Sequence, residues 1–206
     1  MKKKGLFITF EGPDGSGKST QIALLKDYLM NNGYEAVLTR EPGGTHISEK
    51  IRDIILDKAN CEMSYMTEAL LYAASRAQHV DQIIRPALKL GRTVISDRFV
   101  DSSIVYQGYG RKLGDSVEVI NKYAIDDCVP DVTFLLKIDP EVGIKRASGG
   151  EPDRIESEKL SYHRDVYHAY LELEKKYPRR IVGIDASGNI EQIHKGITDK
   201  IDELLK

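Results

Sequence analysis

Gly12-Pro13-Asp14-Gly15-Ser16-Gly17-Lys18-Ser19 is an uninterrupted match to the pattern G-x-x-x-x-G-K-[ST], and it follows the apolar run Leu6-Phe7-Ile8-Thr9-Phe10. That order predicts a strand, a tight loop and a helix, the last marked by Ile22, Leu24, Leu25, Tyr28 and Leu29 at helical spacing. Glycines let the loop backbone curl until successive N–H groups face a polyphosphate, and the helix adds the positive end of its dipole. Lys18 supplies a charge for the outer phosphates and Ser19 a hydroxyl for Mg2+. A chance glycine-rich turn is the competing reading; the strand before the loop and the helix after it weigh against it.

Asn31-Asn32-Gly33 ends the first helix, and Ala36 to Thr39 reads as a second buried strand delivering Arg40-Glu41-Pro42-Gly43-Gly44-Thr45 to the sheet edge that carries the phosphate loop. A short amphipathic helix is predicted over Ile47 to Leu56, and a long helical stretch, bent near Pro86, over Met63 to Leu90. Thr93 to Ser96 is a third strand, followed by Asp97-Arg98-Phe99 and a helical region to about Asp127. Asp131 to Ile138 is a fourth strand. A short helix around 142–146 leads into Ser148-Gly149-Gly150-Glu151-Pro152, flexible by composition. Helix resumes from Ser157 to Tyr177, Arg180 to Ile184 is a fifth strand, and Ile190 to Leu205 a final helix. Alternating strands and helices predict a three-layer α/β/α arrangement around a parallel sheet of about five strands.

With 206 residues the default is one domain. A formal net charge of −2, from 30 basic and 32 acidic side chains, provides no global field for a nucleic-acid polymer or an anionic membrane. Met1-Lys2-Lys3-Lys4 could begin a signal peptide, but the apolar stretch after it stops at Glu11. Cys61 and Cys128 stand far apart without metal-ligand spacing, which fits a reduced, cytoplasmic protein without zinc.

Asp97 ends an apolar strand, where a carboxylate either holds metal-bound water opposite Ser19 or caps the next helix. Arg98 is then a ligand for anions or the salt-bridge partner of Asp97. Arg40, Arg52 and Arg98 are candidates for gripping a phosphorylated acceptor, Arg52 being equally open to a solvated role. Tyr72 and Arg76, four apart, share one helix face and either contact a flat base or pack in the core. Lys145, Arg146, Asp153, Arg154, Glu156, Glu158 and Lys159 surround the flexible stretch, as either an arginine-bearing flap or a solvated loop.

Taken together, these stretches resemble thymidylate kinases (dTMP kinases) from Leu6 through the last helix. The resemblance rests on Phe10-Glu11-Gly12 through Ser19, on Thr39-Arg40-Glu41-Pro42-Gly43-Gly44-Thr45, and on Thr67-Glu68-Ala69-Leu70-Leu71-Tyr72-Ala73-Ala74-Ser75-Arg76. Asp97-Arg98-Phe99-Val100-Asp101-Ser102-Ser103 and Tyr106-Gln107-Gly108 complete it in the family's order. It implies a nucleoside monophosphate kinase-like domain spanning 1–206 with a mobile lid at about 145–157. The implied reaction is transfer from ATP with Mg2+ to dTMP, giving ADP and dTDP.

By resemblance, Gly12 through Ser19 with Thr20 bind ATP, and Ser19 and Asp97 hold the metal. Arg40 and Arg98 clamp the dTMP phosphate with Arg52 assisting, Tyr72 stacks on thymine, Arg76 and Gln107 read the base edge, and Ser103 lies near it. Tyr106 crowds the sugar 2′ position, and Asp14 approaches the 3′-hydroxyl and the metal. Family members place a catalytic arginine either in the phosphate loop or in the lid. Pro13-Asp14-Gly15-Ser16 contains none, so Arg154, assisted by Arg146, is the expected catalytic arginine beside Lys18 and Arg98. A homodimer and a cis Glu41-Pro42 bond are likewise implied by resemblance only.

Two rivals are a kinase for another monophosphate or a nucleoside, and a GTP-operated switch. The guanine-reading N-K-x-D is absent because Asn121-Lys122 continues to Tyr123-Ala124. The D-x-x-G at Asp185-Ala186-Ser187-Gly188 lies too near the end for a switch.

Overall fold

The computed structural model describes residues 5–147 and 151–206, Ala147 by its backbone alone. Met1 to Lys4 and the expected Ser148-Gly149-Gly150 centre of the flap lie outside the described residues. Five strands, β1 (Phe7–Glu11), β2 (Ala36–Arg40), β3 (Thr93–Asp97), β4 (Val132–Lys137) and β5 (Ile181–Asp185), form one parallel sheet in the order β2-β3-β1-β4-β5. Every crossover carries helix, as parallel pairing requires. The helices are α1 (Lys18–Asn31), α2 (His46–Leu56), α3 (Tyr65–His79), α4 (Arg85–Lys89), α5 (Val100–Ser103), α6 (Asp115–Ile125), α7 (Pro140–Ala147), α8 (Leu160–Lys176) and α9 (Ile190–Leu204).

Strand alternation divides the core between the two sheet faces. Phe7, Val94 and Leu135 point to one side, where Phe99, Val105 and Tyr170 cover them. Ile8, Phe10, Ile95, Phe134 and Leu136 point to the other, against Leu25 and Leu29 of α1 and Ile197 of α9. Each such large apolar side chain contributes about 1.5–3 kcal/mol by leaving water. The central strands are thus apolar on both faces, as expected for a covered parallel sheet.

Three expectations need correction. β2 is an edge strand with half-exposed positions rather than a buried one, because only β3 pairs with it. The 63–90 helix starts at Tyr65, where the Ser64 hydroxyl accepts from the Thr67 N–H. Its irregular section is a π-helical run at Val80–Ile84, ahead of Pro86. Pro86 has no N–H to give and crowds the carbonyl one turn earlier, so the preceding turn widens. Likewise, the helical region after Phe99 is interrupted: π-helical turns run from Ile104 to Gly110, a turn follows, and α6 begins only at Asp115. No helix among the described residues is long and apolar enough to cross a membrane.

The register sets the rim on which chemistry can occur. Phe10 and Arg40 both lie opposite Asp97, and Glu11 lies opposite Leu135. Arg40, Asp97 and the start of the glycine loop therefore share the carboxyl edge, at the point where strand order reverses around β1.

Candidate active site

The loop between β1 and α1 is shaped by its glycines. At Gly12, φ is +133°, and a Cβ would meet the Leu136 carbonyl oxygen at 2.4 Å. Gly17 precedes α1 at φ +91°, a left-handed turn that L side chains resist. Lys18 Nζ donates to the carbonyls of Gly12 and Pro13, both at 3.0 Å, and lies 3.9 Å from Asp14 Oδ1. Burial, reinforced by the nearby Arg98 charge, lowers its pKa to about 8 against the opposing pull of Asp14, Asp97 and Glu11. The Ser16 hydroxyl is buried without a partner among the described residues, while Ser19 and Thr20 are exposed on the first turn of α1.

Arg98 faces this loop from β3. Its φ is +66°, a conformation uncommon for a non-glycine residue. Nη2 donates to Asp14 Oδ1 at 2.6 Å, and Nη1 to Ser102 Oγ at 3.2 Å and the Tyr170 hydroxyl at 3.3 Å. Beneath it, fully buried Glu11 accepts from the Phe99 and Ser102 amides and from the Ser102 and Tyr170 hydroxyls. Burial pushes the Glu11 carboxyl pKa up, helped by Asp101 and opposed by Arg98, Ser102 and Tyr170. Burial alone would lower the Arg98 pKa, but Tyr106, Asp14, Tyr170 and Glu11 more than reverse this, and the guanidinium stays charged. Asp14 shows the same contest: burial acts to raise its pKa, and Arg98 and Lys18 bring it below the ordinary value.

One carboxylate oxygen thus stands between the Lys18 ammonium and the Arg98 guanidinium, which places the glycine-built and arginine-built anion sites side by side. The two alternatives left open for Asp97 and Arg98 separate here. Arg98 turns to Asp14, and no side chain caps α5. Asp97 Oδ1 is buried without a partner among the described residues. A partnerless carboxylate oxygen on the rim beside the glycine loop is chemically suited to a hard cation or its water.

Beside Arg98 opens a cleft of about 140 Å3, whose walls include Asp14, Pro42, Arg52, Tyr72, Arg76, Arg98, Tyr106 and Gln107. Arg40 Nη1 and Arg52 Nη1 converge on the Pro42 carbonyl at 2.9 and 3.0 Å, next to a cis Glu41-Pro42 bond. Glu49 steadies Arg40 at 2.9 Å. Burial, with Arg40 adding to it, lowers the Arg52 pKa. Burial raises the Tyr72 phenol pKa, with Glu68 and Asp153 adding to the effect, and the ring stays neutral. Tyr106 is buried with the Arg98 guanidinium 5.3 Å from its ring centre.

Arg76 packs in the core, as one of its two readings has it, and also borders the cleft. It is buried, donating Nε–H to Glu41 at 2.7 Å, Nη1–H to Ser103 Oγ at 3.0 Å and to Asn121 Oδ1, and Nη2–H to the Phe99 carbonyl at 3.1 Å, yet it still lines the cleft. Its neighbour Gln107 donates Nε2–H to Glu68 at 2.9 Å. Arg154 sits on the acceptor side: Nε donates to the Ile55 carbonyl at 2.8 Å, and Nη2 lies 2.8 Å from Glu68. Exposed Arg146 reaches the Ala186 carbonyl beyond β5. Neither arginine has a hydrogen bond to the glycine loop among the described residues.

Sequence reasoning passed over Glu11, Glu68 and Arg111 as working parts. A signal existed for Glu68: positions 68, 76 and 79 carry Glu, Arg and His on the buried stripe of α3, where apolar residues are the rule. Arg111 lies in a turn with no pattern to mark it, although it holds both Glu68 and Glu158.

Comparison with known proteins identifies the family. The family model described as thymidylate kinase matches residues 10–197. A thymidylate kinase of Thermoanaerobacter sp. (strain X514) is 49% identical over 203 residues, covering 98% of this chain and 100% of the relative. One from Lactobacillus delbrueckii subsp. bulgaricus is 52% identical over 195 residues, 92% of each. The crystal structure of thymidylate kinase from Ehrlichia chaffeensis superposes with a TM-score of 0.79 at 32% identity, over 96% of this chain and 98% of that one.

Proposed function

The chain belongs to the thymidylate kinase family, and from that premise we propose that it transfers the terminal phosphoryl group of ATP to dTMP. The products are ADP and dTDP, on the way to dTTP. The observation that carries this reading is the shared Asp14 oxygen, with Lys18 of the glycine loop on one side and Arg98 of the acceptor cleft on the other.

The acceptor phosphate is anionic and nucleophilic at neutral pH, so no general base is required, and the protein's work is positioning and charge neutralisation. The loop from Gly12 to Thr20 cradles the donor phosphates through backbone N–H groups, with Lys18 leaving the Gly12 and Pro13 carbonyls for the outer phosphates. Arg98, Arg40 and Arg52 grip the acceptor phosphate. Tyr72 stacks on the base, Arg76 and Gln107 meet its polar edge beside Ser103, Tyr106 occupies the space next to the sugar 2′ position, and Asp14 serves the 3′-hydroxyl. Ser19 and Asp97 would hold Mg2+, the orphaned Asp97 oxygen being the supporting observation. When bound, that ion neutralises phosphate charge. Arg154, from the flap at about 145–157, is the arginine for the transferred group with Arg146 assisting. To act, it must exchange Glu68 for phosphate.

A homodimer is part of the proposal, supported by exposed Met66, Leu70 and Ala74 along one stripe of α3 and by Val119 and Tyr123 on α6, which packs beside it. A cytoplasmic location fits the two free cysteines. The direct test is coupled ADP release with dTMP, dUMP, dCMP and thymidine side by side. The expected order puts dTMP first and thymidine, which lacks the clamped phosphate, near background. Best turnover with thymidine, or ADP release independent of any acceptor, would defeat the assignment.

A further inference from the structure

Glu68 stands outside the cleft wall and is fully buried, yet three elements meet on it. Gln107 Nε2 is 2.9 Å from its Oε1, Arg111 approaches both oxygens at 3.2 Å, and Arg154 Nη2 lies 2.8 Å from Oε2. A carboxylate only accepts hydrogen bonds, whereas an amide has one accepting and one donating end. The Gln107 amide therefore has one stable orientation here. Its NH2 must face Glu68, because turning it over would set the carbonyl oxygen against a carboxylate inside the protein. Gln107 lines the cleft, so the end left for a ligand is the acceptor Oε1.

Arg76 completes the pattern. A guanidinium has five N–H donors, and four go to Glu41, Ser103, Asn121 and the Phe99 carbonyl. One Nη2–H remains on a residue that lines the cleft. Between them, Arg76 and Gln107 accordingly offer the cleft one donor and one acceptor. A base with a carbonyl next to a ring N–H, as in thymine or uracil, matches this pair. Cytosine, with an amino group next to a bare ring nitrogen, reverses it.

We infer that Glu68 is a specificity-determining positioning residue: by fixing which end of the Gln107 amide faces the cleft, it selects a keto pyrimidine and rejects an amino pyrimidine. The inference rests on the dTMP reading above and extends it to a residue that touches no substrate. Mispaired buried polar groups are a stronger basis for rejection than shape alone.

The test measures dissociation constants of dTMP, dUMP and dCMP by calorimetry, without turnover, for the full chain and for Glu68→Gln. A glutamine at 68 offers a donor to the Gln107 oxygen, so the amide can turn and give cytosine's ring nitrogen an N–H. The preference for dTMP over dCMP should shrink at least about tenfold, while dTMP and dUMP, which share the same edge, move together. Equal weakening of dTMP and dCMP, with the ratio unchanged, would make Glu68 a structural anchor only and overturn the inference. Should the single variant fail to fold, because Arg111 keeps Glu158 but loses its buried carboxylate, Glu68→Gln/Arg111→Met removes that charge and is judged by the same ratio. A wild-type chain that prefers dTMP in binding but releases no ADP would defeat the function above and leave the amide orientation standing; one that binds dCMP as well as dTMP would overturn the orientation itself.

Discussion

Lys18→Ala lowers kcat by about a thousandfold or more and leaves the fold intact. The Lys18 ammonium is the cation proposed for the outer phosphates, and its hydrogen bonds within the protein go to two backbone carbonyls, Gly12 and Pro13, that a polyphosphate would replace. Removing it takes away charge stabilisation that grows as the outer phosphate departs, while the glycines and α1 that shape the loop remain. The variant should therefore match the parent by circular dichroism and bind nucleotide weakly. The pKa of about 8 gives this prediction a second arm. The useful form is the charged one, present below that value and lost as pH rises through it, so kcat/KM for the parent falls on the alkaline side of about pH 8. In saturating ATP the phosphate charge favours the ammonium, and the fall in kcat moves to higher pH. The residual activity of Lys18→Ala should lack this alkaline fall in kcat/KM. Near-normal turnover in the variant would remove Lys18 from its role.

Arg98→Met carries the second large effect, a loss of about a hundredfold to a thousandfold in kcat/KM for dTMP. The residue combines a planar fork suited to phosphate with a charge that its surroundings keep in place. Methionine fills the space of the stem without donating. It also leaves Asp14 with the more distant Lys18 and removes the cation near Glu11, so stability falls as well, by less than the ~3–5 kcal/mol of a fully buried pair because the Asp14 side chain is about a third exposed. Kinetics must be measured below the lowered melting temperature for that reason. Arg98→Lys keeps the charge but not the fork, and should recover stability more fully than activity. If the lysine variant recovered both alike, bidentate recognition would not be what Arg98 contributes.

The sequence carries much of this fold openly, for physical reasons that can be named. Apolar runs such as Leu6 to Phe10 and Val132 to Ile138 are legible because a covered parallel sheet buries both strand faces. The glycine loop is legible because few backbone paths serve a polyphosphate. Edge status was hidden: Ala36 to Arg40 has the composition of a central strand, and only pairing on one side reveals it as an edge. The irregularity at Val80–Ile84 was legible as a bend near Pro86, whereas the widened turn at Ile104–Gly110 was hidden, since no proline marks it. Among candidate site residues, Arg40 and Asp97 could be placed because each ends a strand on the carboxyl rim, and Arg98 because it follows directly. Glu11 and Glu68 could not, because a buried carboxylate is identified by long-range partners: Tyr170 lies 159 residues from Glu11, and Arg111 43 residues from Glu68.

The proposed reaction passes the phosphoryl group directly between donor and acceptor, with Lys18 and Arg98 both beside the Asp14 Oδ1. ATP whose terminal phosphorus is made chiral with three oxygen isotopes reports this directly, through the configuration of the phosphoryl group in dTDP. A single in-line displacement between the Lys18 and Arg98 cradles predicts inversion. Retention of configuration would require two displacements through an enzyme-bound phosphoryl group and would contradict the mechanism proposed for this site.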